Sequence, residues 1–573
     1  MTFISNSPAT SDPPFMSNFP VRSTKLPYVT VSSKGMSNGL SDIPNDGADF
    51  GPDTMQGATS KGQYGPPYST TSGIWEANAY AYLLASDINE VRVVKVSNGT
   101  YNLNVPPVFP SISGINGSFA GGSGVIPVYP NVAIDFQGSV INLNYTGTGF
   151  LLLEINRNSV YLGYIENAII NVLNNTSNPL PSVIVTTSGV LNSMVRNVVI
   201  NGQFSNGNFN LTTGILQKGS YVTLENINVN QALNGIEYTT AGATGTFVYN
   251  YYYNSSAQAY GNAHYINNYG DTIYIIGGRT VLANNEILIN ASTSHLIGLH
   301  LYDRDIDGIE NLIYGHNSNG YEIRNVFISG CWVSAPNSIM QLTVTDANAS
   351  DSLSNLYITG NRFSASSQNG FYIYENLLYG DFIFSNNSIL VQNATSSQYM
   401  FNIHSPNPPG ADFNFQIIDN SLQLASYPYS STPNNPNLLY FTSNLPVIFK
   451  NNFIYNSTTV TPINISVPNT SIIENNTGLD SLNSTTTGTT AGTVTMNNTN
   501  YSPSYKKYII SLSGYENDTA TNQTISYPLP FNTSAVISAN NTGLTISTTP
   551  TGITITAPNS TTTYSGIVVV EGY

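Results

Sequence analysis

Val195-Arg196-Asn197-Val198-Val199-Ile200 and Leu224-Glu225-Asn226-Ile227-Asn228-Val229 share one form: a short β-branched strand, an asparagine, and a second short strand. The form recurs on both sides. Ile165-Glu166-Asn167-Ala168-Ile169-Ile170 precedes them, and Leu282-Ala283-Asn284-Asn285-Glu286-Ile287, Ile323-Arg324-Asn325-Val326 and Ile358-Thr359-Gly360-Asn361-Arg362-Phe363 follow. Asn386-Asn387, Asn420, Asn451-Asn452 and Asn475-Asn476 extend the series. Steps between these asparagines run from 24 to 40, with one of 59 that reads as two coils. Such a period marks a solenoid, whose units bury their apolar faces only against each other. Strands of about four to six residues point to stacked β-coils rather than helical repeats. Asparagine tolerates the left-handed backbone of a tight corner, and stacked amides can bond coil to coil. About a dozen coils at ~4.8 Å each make a rod ~60 Å long.

Composition agrees. Charged residues are 8% of the 573, far below the ~25% of ordinary soluble domains. Asn, Ser, Thr, Gly and Tyr fill the polar positions, while 40% hydrophobic residues leave ample material for a core. The net charge is −15 and the 16 Lys+Arg are scattered, which argues against binding nucleic acid through its phosphates. A surface of neutral amides and hydroxyls changes little as pH falls and would suit an acidic exterior. The same composition equally suits a repetitive β-protein that uses Asn and Thr for its turns. The single Cys331 lies in the apolar run Val326–Val333, is expected to be a buried structural thiol, and allows no disulfide within the chain. No apolar stretch approaches the ~18 residues of a membrane span. Met1–Pro27 lacks the basic and apolar regions of a secretory signal.

Residues 41–145 carry a family resemblance. Asn45-Asp46-Gly47-Ala48-Asp49-Phe50 is followed by Ile74-Trp75-Glu76-Ala77-Asn78-Ala79-Tyr80-Ala81-Tyr82-Leu83-Leu84, expected to be an amphipathic helix. Val91–Val96 then reads as a strand before Ser97-Asn98-Gly99-Thr100-Tyr101, and Val132–Gly138 leads into Val140–Leu143. This order resembles the N-terminal segment of the pectate-lyase-like superfamily of right-handed parallel β-helices, which includes polysaccharide lyases, polygalacturonases and many viral tailspikes. The resemblance covers about a fifth of the chain. It implies the fold, with the helix as N-terminal cap, and is nearly silent on activity.

The expected organisation is an extended arm over 1–40, the β-helix over 41–478 (cap and first coils over 41–145), a Ser/Thr/Asn-rich linker over 479–500, and a small C-terminal antiparallel β-sandwich over 501–573. The last rests on short alternating strands about ten residues apart, such as Tyr508–Leu512, Ile553–Thr556 and Ile567–Val570, and resembles the small C-terminal β-domains of viral fibres.

Three features could carry chemistry. The acidic cluster Asp303-Arg304-Asp305-Ile306-Asp307-Gly308-Ile309-Glu310 begins like a calcium loop, with Asp303, Asp305 and Asp307 as alternate ligands, but Tyr314 stands where an EF-hand has its bidentate Glu. The cluster reads equally as a calcium site, as a solvated turn salt-bridged by Arg304, or as a catalytic group with His316, since paired carboxylates can cleave glycosides. Of the motifs that polygalacturonases share, only Gly315-His316 and Ile323-Arg324 have counterparts, and the Asp-Asp pair is missing. That departure puts the activity in doubt. The stretch Phe247–Tyr274 is dense in tyrosine, and Tyr251, Tyr252, Tyr253 and Tyr260 are its candidate ligand-binding residues; the structural reading is a loop packed on the rod. Numerous Asn-x-Ser/Thr sequons, among them Asn98, Asn144, Asn210, Asn290, Asn464, Asn517 and Asn559, are candidate glycosylation sites.

The expected function is a virion surface spike or tail fibre, of an archaeal virus judging from composition and resemblance. It would bind a host-surface glycan or glycoprotein, as a homotrimer with other virion proteins as partners and without nucleic acid or membrane insertion. A virion-surface or extracellular location fits an exterior-style composition without an export signal. A secreted polysaccharide lyase or glycosidase and a structural cell-surface adhesin are the alternatives. Calcium is the one cofactor suggested.

Overall fold

A computed structural model describes residues 28–34, 48–84, 91–111, most of 122–456, and separate stretches between 464 and 572. The chain is an all-β right-handed parallel β-helix. Each coil crosses three faces. The coil around Gly277 is representative: Thr272–Val281 runs along the first face, bends at Gly277 and continues on the second, after which Asn285–Ala291 forms the third. Thirteen strands stack in parallel on the third face, from Ile126–Val128 to Asn464–Ser466. At ~4.8 Å per coil they span ~60 Å, the length expected from the repeat.

The bend between first and second faces is one column of left-handed residues. In register order it comprises Gln137, Asn167, Asn197, Asn226, Asn250, Gly277, Asp303, Gly330, Gly360, Asn386, Asp419 and Asn451, all with φ between 51° and 69°. Only Gly, and Asn or Asp at small cost, adopt this backbone readily. The step of 59 spans two coils, with corners at Asn250 and Gly277, and then runs on to Asn285 on the third face. Asn325 and Asn285 belong elsewhere. Asn325 shares a different bend with Asn355, whose amide donates to its Oδ1 at 2.9 Å. Asn285 sits in a buried ladder on the third face, in which Asn262, Asn285 and Asn311 each donate to the preceding coil's amide oxygen at 2.8–3.0 Å.

Strand geometry then sets which way each residue after the corner points, because side chains alternate. The first and third residues after it face the core, and the second faces out. The first-inward column opens with Ala168, Val198 and Ile227, passes Tyr251, Gly278, Arg304 and Cys331, and ends as Asn361, Asn387, Asn420, Asn452 and Asn476. In this last run each amide does two jobs. Asn387 Nδ2 donates to Ile358 O and to Asn420 Oδ1, and Asn420 Nδ2 donates to Phe384 O and to Asn452 Oδ1, at 2.8–3.0 Å. The ladder thus satisfies buried carbonyls at the corner.

Arg304 is the one buried guanidinium of this column. It reaches back through the space that Gly278 leaves free, where a Cβ would lie 2.7 Å from Arg304 Nη1. Its nitrogens donate to Tyr251 O, Gly277 O, Thr280 Oγ1 and Glu286 Oε1 at 2.6–3.1 Å. The reading of Arg304 as the counter-ion of its neighbouring aspartates is therefore corrected: its charge is spent inside on Glu286. His264, 3.8 Å from Glu286 and bonded through Nδ1 to Tyr238 OH at 2.9 Å, is held neutral by burial and by Arg304.

The helix Ile74–Leu84 caps the N-terminal end as expected, but it is not amphipathic in place. Residues Ile74–Ala79, Ala81 and Tyr82 are all buried. Glu76 accepts from Ser69 Oγ at 2.7 Å, Asn78 donates to Pro127 O, and Trp75 stacks on Phe109 at 5.0 Å. The polar residues of the helix serve its covering segments rather than solvent. Tyr28–Val31, within the segment read as an arm, pairs in parallel with Arg92–Val96, and Asp49 Oδ2 accepts from Thr30 N at 3.0 Å. The remainder of 1–40 lies largely outside the described residues. At the other end, Glu474 meets Asn500 in an antiparallel bridge, and Thr493–Ser502, which begins inside the segment read as a linker, pairs with Tyr505–Tyr515. Four strands there form one antiparallel sheet, and Gln523–Ser526, Thr545–Thr549 and Gly552–Thr556 form another.

These interiors can be tested by substitution. Asn420→Ala removes three donated bonds, to Phe384 O, Ile418 O and Asn452 Oδ1, and strands the Phe384 carbonyl, so it should cost about 1–3 kcal/mol, seen as a lower denaturation midpoint; an unchanged midpoint would contradict the ladder's role. Glu375 is fully buried, and burial, opposed by an Asn317 hydrogen bond and reinforced by the Asp351 charge, raises its pKa to about 8. A raised carboxyl contributes stability below its unfolded pKa near 4.5, and that stability is lost as pH rises to about 8. Glu375→Gln should therefore stabilise the protein at pH 8 relative to wild type far more than at pH 5, in melts at both pH values.

Candidate functional site on the second face

The outward position two residues after the corner forms a column across the second face: Asn228, Tyr252, Arg279, Asp305, Trp332, Arg362, Ser388 and Ser421. Its centre is unusual for this chain. Trp332, one of only two tryptophans, is 41% exposed. Two of the 16 Lys+Arg, Arg279 and Arg362, lie within two coils of it. Arg279 Nε sits 3.2 Å from Asp305 Oδ2, and Arg279 Nη2 sits 3.8 Å from Asp307 Oδ2, all three side chains being roughly half-exposed. Arg362 is exposed and has no acidic partner among the described residues.

Alternation sorts the candidate tyrosines along Thr246–Asn254. Tyr252 points outward onto this column. Tyr251 and Tyr253 do not: both are 0% exposed, and their hydroxyls donate to Ala263 O at 3.1 Å and Ala232 O at 2.6 Å. Their expected ligand-binding role is corrected. The stretch is not one tyrosine-rich surface but two strands of a regular coil, and Asn250 as corner fixes the phase that buries them. Tyr260 lies at the edge between second and third faces, 43% exposed. Its ring is 5.0 Å from Phe204, itself 4.8 Å from Phe209, on a hairpin formed by Phe204–Ser205 and Asn208–Phe209.

The acidic cluster does not converge on a point. Asp303 is the left-handed corner residue, while Asp305 and Asp307 lie on the strand Asp305–Asp307 with Ile306 buried between them. Among the described residues no group of three His, Cys, Asp or Glu is arranged to hold a metal ion. The guanidinium of Arg279 reaches both Asp305 and Asp307, so a calcium ion held by these two carboxylates would have to displace it. The catalytic reading also loses its geometry. The neighbours of Asp305 in adjacent coils are Arg279 and Trp332, not a second acid. His316 sits on the third face, paired with Asn290 and Thr343, so it does not meet the cluster. Burial lowers its pKa.

Of the sequons, Asn98 and Asn144 are exposed. Asn290 is half-buried and donates to Asn267 at 3.3 Å. Asn210 is corrected: it is 0% exposed, and its amide donates to Val172 O and Asn174 O, so no glycan fits there in the folded chain. Asn464 lies in the strand Asn464–Ser466, and Asn517 and Asn559 lie outside the described residues.

Trp332 and Arg362 are functional candidates that the sequence does not single out. Counting two residues on from Gly330 and Gly360 finds them once those glycines are recognised as corners. A second outward column runs along the first face. There Phe247, Tyr274, His300, Phe327 and Tyr357 stack with centroids 4.4–5.0 Å apart and nearly parallel planes. Their faces cover one another and leave edges to solvent, so this column braces coils rather than offering a flat platform. Burial holds His300 neutral, its pKa lowered to about 4.

Asp305 is a half-exposed outward position of a well-formed strand, so Asp305→Ala should change stability by less than about 0.5 kcal/mol; Trp332→Ala, at a side chain 41% exposed, should cost about 1–2 kcal/mol and leave the chain folded. Millimolar calcium should leave the melting temperature unchanged; a calcium-dependent rise would restore the metal reading.

No family model and no curated protein sequence matches the chain. Among solved structures, it is similar to the tailspike protein of E. coli bacteriophage HK620 in complex with pentasaccharide, at 12% identity over 89% of this chain and 90% of that one, with a TM-score of 0.37. A mutant of that tailspike with pentasaccharide gives 12% identity, the same coverage and a TM-score of 0.47. Another mutant, with hexasaccharide, gives 11%, the same coverage and 0.42.

Proposed function

We propose that this protein is a surface spike that binds a host-surface glycan or glycoprotein through the second face of its β-helix. The observation that carries the reading is the column Tyr252–Arg279–Asp305–Trp332–Arg362. A sugar ring offers apolar C–H patches and a rim of hydroxyls. An exposed indole supplies a large rigid apolar contact at low entropy cost, with an N–H donor at its edge. Flanking Arg and Asp side chains donate to and accept from hydroxyls through charge-assisted bonds. Parallel strands hold these groups at ~4.8 Å intervals on a rigid scaffold, which limits the ordering cost of binding.

In this reading the rod projects from a virion, with the N-terminal arm or the C-terminal sheets as the anchoring end, and three copies assemble into the spike. An archaeal host and an acidic habitat accord with the charge-poor surface. Virion attachment is preferred to a polysaccharide lyase or glycosidase because, among the described residues, Asp305 has Arg279 and Trp332 rather than a second acid as its neighbours across the coils. A structural adhesin would use the same face without a particle.

The test is binding of the full chain to immobilised surface glycans of candidate hosts. Wild type should bind at least one, and Trp332→Ala should bind it at least tenfold more weakly, a loss of about 1.4 kcal/mol. Undiminished binding by the folded variant would rule out the second face as the binding surface.

A further inference from the structure

The two sides of Trp332 differ, and the difference points to the kind of sugar it receives. On the side of the preceding coil stands Asp305, already paired with Arg279 at 3.2 Å. On the side of the following coil stands Arg362, exposed and without an acidic partner among the described residues. Beyond Arg362 the column continues as Ser388 and Ser421, both exposed. Arginine is scarce in this chain, and its guanidinium presents a planar fork of donors that matches a carboxylate or sulfate oxygen pair. A fork without an acidic partner, held next to an exposed indole with hydroxyls behind it, is organised for an anion attached to a ring.

We infer that the glycan bound at the second face carries an anionic substituent, a carboxylate or a sulfate ester, which docks on Arg362 while its ring lies on Trp332. This rests on the glycan-binding reading and narrows it. The substituted end of the sugar points toward Ser388, and its unsubstituted hydroxyls point toward Asp305, which accepts them. The chain's net charge of −15 opposes the approach of an anion at low salt. At 0.15 M salt the screening length is about 8 Å, so groups within one or two coils dominate. Arg362, in the coil next to Trp332 and without an acidic partner among the described residues, is then the cation such an anion meets.

The experiment compares matched oligosaccharides at 0.15 M salt: uronic-acid oligomers, the same oligomers with carboxylates reduced to alcohols, and sulfated and desulfated forms of one neutral oligomer. Titration calorimetry on the full chain reads the dissociation constants, and circular dichroism confirms that each variant is folded. Wild type should favour an anionic form at least tenfold, and the better of the two anions identifies the substituent. Arg362→Gln should reduce that affinity to the level of the neutral counterpart, and Arg362→Lys should restore part of it. Trp332→Ala should weaken anionic and neutral forms alike. Equal binding of both forms by wild type, weakened in Trp332→Ala, overturns the anionic inference and leaves glycan binding standing. A preference that survives Arg362→Gln also overturns the inference. Binding of none of these probes, or of the immobilised host glycans, by wild type overturns both.

Discussion

The structure depends on a steric constraint repeated twelve times among the described residues. At the corner between first and second faces the backbone must take positive φ, and the chain meets this with Asn, Gly or Asp at eleven of twelve positions and Gln137 at the other. The left-handed turn costs other residues roughly 1–2 kcal/mol each, so it selects composition coil by coil. Because each coil from Gln137 to Asn451 bends at the same register position, the strand beyond each of these corners starts in the same phase. Core columns and surface columns follow from that phase without further specification.

Inside the corner, successive coils solve the problem of buried backbone polarity in three ways. The early coils place Ala168, Val198 and Ile227 there and keep the interior apolar. The middle coils insert Arg304 through the gap at Gly278 and neutralise it with Glu286. The late coils stack asparagines whose amides bond both to each other and to carbonyls. A buried ion pair is no guarantee of net stability, since desolvation offsets its attraction, but it penalises any slip of register that would separate its partners. The Arg304–Glu286 pair thus locks the coils on which the exposed face is built.

The outward consequence is a line of side chains whose spacing is set by hydrogen bonding rather than by loops. Tyr252, Arg279, Asp305, Trp332 and Arg362 come from five different coils and from sequence positions 26 to 30 apart, yet they form neighbours on a rigid surface. This is how a chain with 8% charged residues concentrates charge and an exposed indole at one place.

Much of the architecture is legible because asparagine corners and β-branched strands are both written openly in the sequence. The helix Ile74–Leu84 and the corners at Asn167, Asn197 and Asn226 are readable for that reason. What is not legible is phase. Gly277, Asp303, Gly330 and Gly360 serve the same corner as the asparagines, and a count on asparagine alone passes over them. Without the phase, Tyr251 and Tyr253 cannot be told from Tyr252, and Arg304 looks like a surface partner of the aspartates beside it. Burial of the helix polar residues Glu76 and Asn78 is hidden because their cover comes from segments distant in sequence. The most direct test of glycan binding on the second face is a crystal structure of the chain with a bound host oligosaccharide. The expected result is a sugar ring against the Trp332 indole, with polar contacts to side chains of the neighbouring coils. A ligand seated on the first face, on the third face or on the C-terminal sheets, with Trp332 left bare, would contradict it.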